Sequence, residues 1–290
     1  TISLTATDPH GSTDSITTKI HINTPPTIET PYPTVAFSNT DLEFIGIPND
    51  QDGDPVAISY VWTRNGQPTG FTTNTIPKAN INEGDIWTVT ATPNDGYVDG
   101  APIISTLVVQ NSPPSIQHQE ILPSSIYNDS TVNCSATAFD PDETIVPQYT
   151  WIINGVEHLG SSFDLSTVSL SPLEEIICRV TVTDSTGASS LSTVSSIIQN
   201  RDPVVQNLSI SPTPLYGDVT PTCTSTVQDP DGDSVTSSIA WTVNGLMMGV
   251  QSPTYTYPLN IGDTVECTQT VTDDYGASAS STVTTVVANT

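Results

Sequence analysis

Along most of the chain, apolar and polar residues alternate with a period of two, as in Thr88-Val89-Thr90-Ala91-Thr92 and Val180-Thr181-Val182-Thr183. Successive side chains of an extended strand point to opposite faces, so this alternation predicts strands with one buried and one wet face. The runs are short and bounded by Gly, Pro, Asn and Asp. Asn65-Gly66, Asn154-Gly155 and Asn244-Gly245 each follow an apolar run. Both residue types tolerate positive φ, which a two-residue hairpin turn requires. Roughly seven such strands per unit, separated by turns, predict a β-sandwich.

The pattern recurs at a period of about 89 residues, which makes the chain an array. Trp62, Trp151 and Trp241 stand at the same offset before the three Asn-Gly pairs. An acidic turn precedes each: Asp50-Gln51-Asp52-Gly53-Asp54, Asp140-Pro141-Asp142-Glu143 and Asp229-Pro230-Asp231-Gly232-Asp233. A Thr/Val strand follows and ends in a late turn at Asn94-Asp95-Gly96, Asp184 to Gly187, or Asp273-Asp274-Tyr275-Gly276. Each unit closes on an apolar strand and an asparagine (Asn111, Asn200, Asn289), and proline-bearing starts follow at Pro25-Pro26, Pro113-Pro114 and Asp202-Pro203. Residues 1–24 match only the tail of a unit, with Asp8 to Gly11 in the late turn and Ile20 to Asn23 in the closing strand. The expected organisation is a tail fragment at 1–24 and complete repeats at 25–112, 113–201 and 202–290. Two strands without a partner sheet do not fold alone. The fragment is therefore expected to belong to a longer array, the alternative being strand exchange with another chain.

Four cysteines form two equivalent pairs, Cys134/Cys178 and Cys223/Cys267, with Trp151 or Trp241 between the members. That order predicts a bridge joining the second and sixth strands across the core, with the Trp packed on it. Buried thiols are the alternative; a metal site is disfavoured because no His sits at ligand spacing. The repeat at 25–112 lacks both cysteines. Alignment on the acidic turn puts Phe44 at the first position, and alignment on the Thr/Val strand puts Trp87 at the second. Two aromatics are thus expected to replace the bridge by packing. Disulfides imply an oxidising compartment, hence an extracellular protein, secreted or on a cell surface.

The Trp-x-x-Asn-Gly, Asp-Pro-Asp-Gly-Asp and Val-Thr-Val-Thr-Asp elements resemble the PKD-type and related bacterial or archaeal immunoglobulin-like tandem repeats of large cell-surface or filament proteins. The resemblance spans the whole chain and implies an all-β fold of tandem immunoglobulin-like sandwiches in an extended array. It implies a structural, adhesive or spacer role. The cysteine pairs are not general in that family and mark a subtype.

Charge adds one constraint. Against 31 acidic residues stand 5 basic ones, a net charge of −26. A field of that sign repels phosphate backbones and anionic lipid, disfavouring nucleic-acid and membrane partners, and attracts divalent cations. No apolar run approaches the length of a membrane-spanning helix. In a sandwich of this kind the acidic turn and the late turn lie at one end, where the preceding linker asparagine arrives. Three oxygen-rich sets are expected to converge. They are Asn23, Asp50, Asp52, Asp54, Asn94 and Asp95; Asn111, Asp140, Asp142, Glu143 and Asp184; and Asn200, Asp202, Asp229, Asp231, Asp233, Asp273 and Asp274. Calcium takes six to eight hard oxygens in irregular geometry, so these are candidate calcium ligands. The third set is the richest; the second lacks the Gly-Asp ending. Asp, Pro and Gly also make ordinary solvated turns, which is the competing reading.

Catalytic signals are missing. His10, His21, His118 and His158 fall at unrelated repeat positions, and no phosphate loop, His-Glu-x-x-His or Gly-x-Ser-x-Gly element occurs. Acid pairs abound, but in turns, without an apolar pocket to separate their pKa values. The chain is read as no enzyme. Tyr255, Tyr257, Met247 and Met248 fit strand alternation and loop packing. Asn128, Asn133 and Asn207 head glycosylation sequons. The expected function is an extracellular rod or filament segment, structural or adhesive, with calcium held by the acidic sets stiffening it. Expected partners are neighbouring repeats, other copies of the chain, and a surface glycan or protein ligand. The rival is a carbohydrate-binding or spacer region of a secreted hydrolase, which calls for an exposed aromatic row on one face.

Overall fold

A computed structural model describes residues 1–20, 22–32 and 35–289; His21 lies outside them. Strands dominate. The helical pieces among the described residues are two single 3-10 turns, Lys78–Asn80 and Leu165–Thr167. The chain divides into two compact units. One comprises Thr1–Ser115, Phe139–Ile145 and Thr183–Ser189; the other comprises Ile116–Ala138, Val146–Val182 and everything from Ser190 onward.

The stretch from Ser115 to Ile197 shows how the pattern becomes a sandwich. Ser115–Leu122, Thr131–Phe139 and Ser162–Asp164 form one sheet. Val156–Leu159, Gln148–Ile153, Glu175–Thr183 and Ser189–Ile197 form the other, in that order. The alternation sends Ile176, Cys178, Val180 and Val182 inward to full burial, while the residues between them stay on the wet side. Burying each such aliphatic side chain contributes about 1.5–3 kcal/mol. Cys134 on the second strand and Cys178 on the sixth are joined, and Trp151 is the cross-strand partner of Cys178. Cys223 and Cys267 are joined likewise, with Trp241 opposite Cys267. In the third repeat the five-stranded sheet runs Leu215–Tyr216, Ser278–Ala288, Thr264–Asp273, Val235–Val243, Leu246–Met247. Its first strand lies parallel to the second. The same order and the same parallel pair, Ala36–Phe37 beside Ile103–Gln110, occur in the first repeat. These pairings establish an all-β, immunoglobulin-like sandwich architecture repeated in tandem.

Each Asn-Gly hairpin has both residues in the left-handed region, with φ of 52° and 77° at Asn65 and Gly66. The Asn side chain adds a second function. Asn65 donates to Asp85 and accepts the amide of Ile86, and Asn244 does the same with Asp263 and Thr264. The hairpin is thereby tied to the entrance of the strand that lies beside it in the sheet.

Strand register corrects one expectation. Trp62 faces Val89 across the sheet, so Val89, and not Trp87, occupies the position of Cys178 and Cys267. Phe44 stands six residues before Asp50, as Cys134 and Cys223 stand before Asp140 and Asp229. It is 1% exposed, as expected of the first cysteine position. Trp87 lies one inward position earlier and packs edge-on against Trp62 at 6.2 Å between ring centres. A slip of two residues leaves the inward and outward faces unchanged, so periodicity alone does not detect it.

Residues 1–20 form a lone hairpin, Ile2–Thr7 paired with Thr13–Thr18. Counted back from the late-turn aspartate, Ile2 and Leu4 match the buried Cys178 and Val180, yet they are 55% and 70% exposed here.

Candidate metal centres at the linker asparagines

Each late turn is folded by one aspartate. In Asp184 and Asp273, Oδ1 accepts two backbone N–H groups, at residues two and four further on, over 2.8–2.9 Å. Asp95 closes its tighter loop on the amides of Tyr97 and Val98. Burial alone would raise the pKa of these carboxyls. The donated hydrogen bonds outweigh it and hold Asp95, Asp184 and Asp273 below the usual carboxylate value.

The acidic turn works the same way with its first aspartate. Asp50, Asp140 and Asp229 each use Oδ1 to accept the amide two residues on, at 2.8, 2.7 and 2.8 Å. Gly53 and Gly232 sit at φ of 83°, a conformation that permits the tight Asp-Gly-Asp return. The second turn has Glu143 at that place, and its carboxylate instead caps the amide of Ser185.

Into this pair of turns comes the linker, and it docks identically three times. The asparagine amide donates to the late-turn aspartate: Asn23 to Asp95 at 2.7 Å, Asn111 to Asp184 at 2.8 Å and Asn200 to Asp273 at 2.7 Å. The next backbone N–H donates to the middle acid of the acidic turn: Thr24 to Asp52, Ser112 to Asp142 and Arg201 to Asp231.

What remains unsatisfied is informative. The second oxygens of Asp50, Asp140 and Asp229, and the side-chain oxygens of Asn23 and Asn200, are closed to solvent and have no hydrogen-bond partner. Asp140 and Asp229 are 7% and 8% exposed. Asp50, Asp52 and Asp54 bring ligand oxygens within 4.8 Å of one another, and so do Asp229, Asp231 and Asp233. At that spacing each like-charged pair repels by about 3 kcal/mol at an effective dielectric constant near 20. Burial, followed by the charges of Asp229, Asp231, Asp273 and Asp274, pushes the pKa of Asp233 upward. A hard cation would relieve both the repulsion and the orphaned oxygens.

The remaining candidates sit elsewhere. Asn94 is used within its own turn, donating to Asp99 and accepting from Gly96. Asp202 and Asp274 are exposed. At the second linker, Asp142 accepts from Ser112 and from the Ser38 hydroxyl, which also meets the Ser112 hydroxyl at 2.7 Å. No three-carboxylate cluster forms there among the described residues.

Sequence reasoning missed Ser38 and the residues around Arg201. The guanidinium donates to Asp231 at 2.8 Å, Asp129 at 3.0 Å and Asn128 at 3.0 Å, and lies 4.8 Å from the Tyr127 ring centre. Asn128 in turn donates to the Asp231 carbonyl. Thus both ends of the Asn128 amide are engaged, whereas the sequon residues Asn133 and Asn207 are exposed. The one signal for Arg201 was its rarity: one of 5 basic residues standing beside the richest acidic set.

Among the aromatic candidates, Tyr255 is 1% exposed and packs on Trp241, while Tyr257 is 58% exposed. The four tryptophans are all buried to within 1% exposure, so none presents a stacking platform. No helix of the described residues is long and apolar enough to cross a membrane.

No protein-family model and no curated protein matches the chain. Among solved structures, it is similar to the three N-terminal domains of the bacteriophage RB49 highly immunogenic outer capsid protein, at 11% identity and a TM-score of 0.32, covering 92% of this chain and 99% of that one. It is also similar to extracellular domains 3–5 of Drosophila OTK, at 16% identity and a TM-score of 0.31, covering 86% and 91%. A 1.5-MDa bacterial ice-binding adhesin aligns at 15% identity and a TM-score of 0.29, covering 87% and 91%. Superpositions this loose add nothing to the architecture read from the strand pairing.

Proposed function

We propose that this chain is a structural or adhesive spacer of an extracellular protein, built of immunoglobulin-like repeats at 25–112, 113–201 and 202–290, with calcium stiffening its linkers. Residues 1–24 would correspond to the C-terminal part of such a repeat. The observation that carries the reading is Asp229: its Oδ2 is buried beside two further carboxylates with no donor to satisfy it. A buried carboxylate oxygen left in that state is costly, and a divalent cation is the ligand that such an all-oxygen set suits. Asp229, Asp233 and Asn200 would hold the ion, and Asp50, Asp54 and Asn23 would do so at the first linker. The two disulfides support an oxidising location, where calcium is abundant enough for modules of modest affinity. Partners would be neighbouring repeats, other copies in a filament, and a surface glycan or protein.

The test is thermal unfolding of the whole chain in millimolar calcium and in chelator. If the ion binds with a Kd near 0.1 mM, 5 mM calcium should stabilise by about 2 kcal/mol. Asp229→Asn should remove part of that gain. An unchanged melting profile would reduce the acidic turns to hydrogen-bonded loops.

A further inference from the structure

The three linkers share a docking scheme, but only one is followed by a cation from the chain itself. Thr24 and Ser112 occupy the place that Arg201 takes at the third linker. Arg201 engages Asp231 twice: its backbone N–H donates to Oδ2 at 2.6 Å, and its Nε donates to Oδ1 at 2.8 Å. The Asp231 carboxylate is 0% exposed, so these donors meet no competition from water. The other guanidinium nitrogens reach Asp129, Asn128 and the Pro230 carbonyl. Arg201 therefore spans from the acidic turn to the Tyr127–Asp129 segment. On the other side of the same cluster, Asp229 Oδ2, Asp233 Oδ2 and Asn200 Oδ1 remain without donors.

We propose that Arg201 is a built-in cation that withdraws Asp231 from metal binding, so that the third linker holds calcium through Asp229, Asp233 and Asn200 alone, weakly, while staying docked without it. The inference rests on the calcium reading above and deepens it. Two physical effects point the same way. A fixed positive charge within hydrogen-bonding distance of one carboxylate lowers the attraction that the cluster offers a second cation. A carboxylate with both oxygens already accepting charged or backbone donors is a poorer ligand than its neighbours. The clasp also replaces the ion mechanically, because Arg201 and the Asn128 amide tie the acidic turn to the Tyr127–Asp129 segment whether or not metal is present.

The consequence runs against intuition: removing a stabilising arginine should improve metal binding. Calorimetric titration of calcium into the full chain, repeated with Asp229→Asn, identifies the binding class that belongs to the third linker. In Arg201→Gln that class should tighten by about tenfold, as a carboxylate is released and a positive charge removed. Arg201→Lys, which keeps the charge without the fork, should stay within about threefold of the unaltered chain. Limited proteolysis gives the second readout: in chelator only Arg201→Gln should become cleavable around residues 200–203, and calcium should restore protection. Tryptophan emission checks that each variant is folded. If Arg201→Gln binds no tighter while Asp229→Asn still deletes a site, the proposal is wrong and the calcium reading stands. If no calcium is taken up that Asp229→Asn removes, both fall.

Discussion

Replacing Cys134 and Cys178 together by alanine would test whether covalent linkage or packing holds the middle sandwich. The bond closes a loop of 44 residues between the second and sixth strands. In the chain-entropy account a loop of that size restrains the unfolded ensemble by about 4 kcal/mol at 25 °C. Both cysteines are buried, at 3% and 0% exposure, so loss of their sulfurs adds about 1 kcal/mol of forfeited apolar burial. A domain of this size unfolds with an entropy of about 0.19 kcal/mol/K. A deficit of 4–5 kcal/mol therefore lowers its melting temperature by roughly 20 °C, a large part of the 5–15 kcal/mol that single domains possess. Calorimetry resolves the transition, and guanidinium unfolding followed through Trp151, which faces Cys178, should shift by about 1 M. The transition containing Trp62 and Trp87 should not move, because that core has no disulfide and closes on Phe44, Val89 and two indoles packed edge to face. The reasoning fails if the middle transition shifts by less than about 1 kcal/mol. It fails equally if all transitions fall together, since the sandwiches would then not be separate cores.

Further expectations follow from single atoms. A methyl on Gly100 would stand 1.9 Å from the Pro26 carbonyl oxygen, so Gly100→Ala should cost about 3 kcal/mol in denaturant titration, whereas Gly70→Ala, with nothing nearby, should stay within about 0.5 kcal/mol. Trp62 donates Nε1–H to the Thr73 carbonyl at 2.8 Å, while Trp151 Nε1 has no partner. Trp62→Phe should therefore be about 1 kcal/mol more destabilising than Trp151→Phe, read from their unfolding midpoints. In chelator, the raised pKa of Asp233 means that its ionised form opposes folding: the penalty is present at neutral pH and fades as pH falls through that value toward 3.8. Asp273, with its lowered pKa, contributes in the other sense, and its stabilisation is lost as pH drops below 3.8. As pH is lowered from neutral, the melting temperature should thus rise before it falls, and Asp233→Asn or calcium should abolish the rise.

The features written locally were the legible ones. Hairpin turns at Asn65-Gly66 and its counterparts follow from backbone conformations that few residues adopt, and the cysteine pairs from spacing around a tryptophan. The Phe44 position was legible because an acidic turn of fixed length anchors the count. The place of Trp87 is not legible because its strand offers only alternation, which is blind to even slips; the pairing of Trp62 with Val89 is set by the register between two strands distant in sequence. Convergence of the linker asparagine on two turns was foreseeable from sandwich topology. Its division of labour was not: which carboxylate oxygen folds a loop and which is left over depends on sub-ångström placement. Ser38 and Arg201 act across more than 70 residues of sequence, Ser38 on Ser112 and Arg201 on Asn128, and neither recurs in the other repeats.

The twofold anchoring of each linker bears on how tension would pass along the chain. A covalent connection alone delivers a pull to the first strand of the next sandwich, an edge strand that can be peeled away one ladder bond at a time. An asparagine held by the late turn and an amide held by the acidic turn deliver it instead to two loops rooted in different strands. Both anchors would have to fail at once before the edge strand felt the load. Torsion about the connection is resisted for the same reason, since two attachment points define a lever arm where one defines only a swivel.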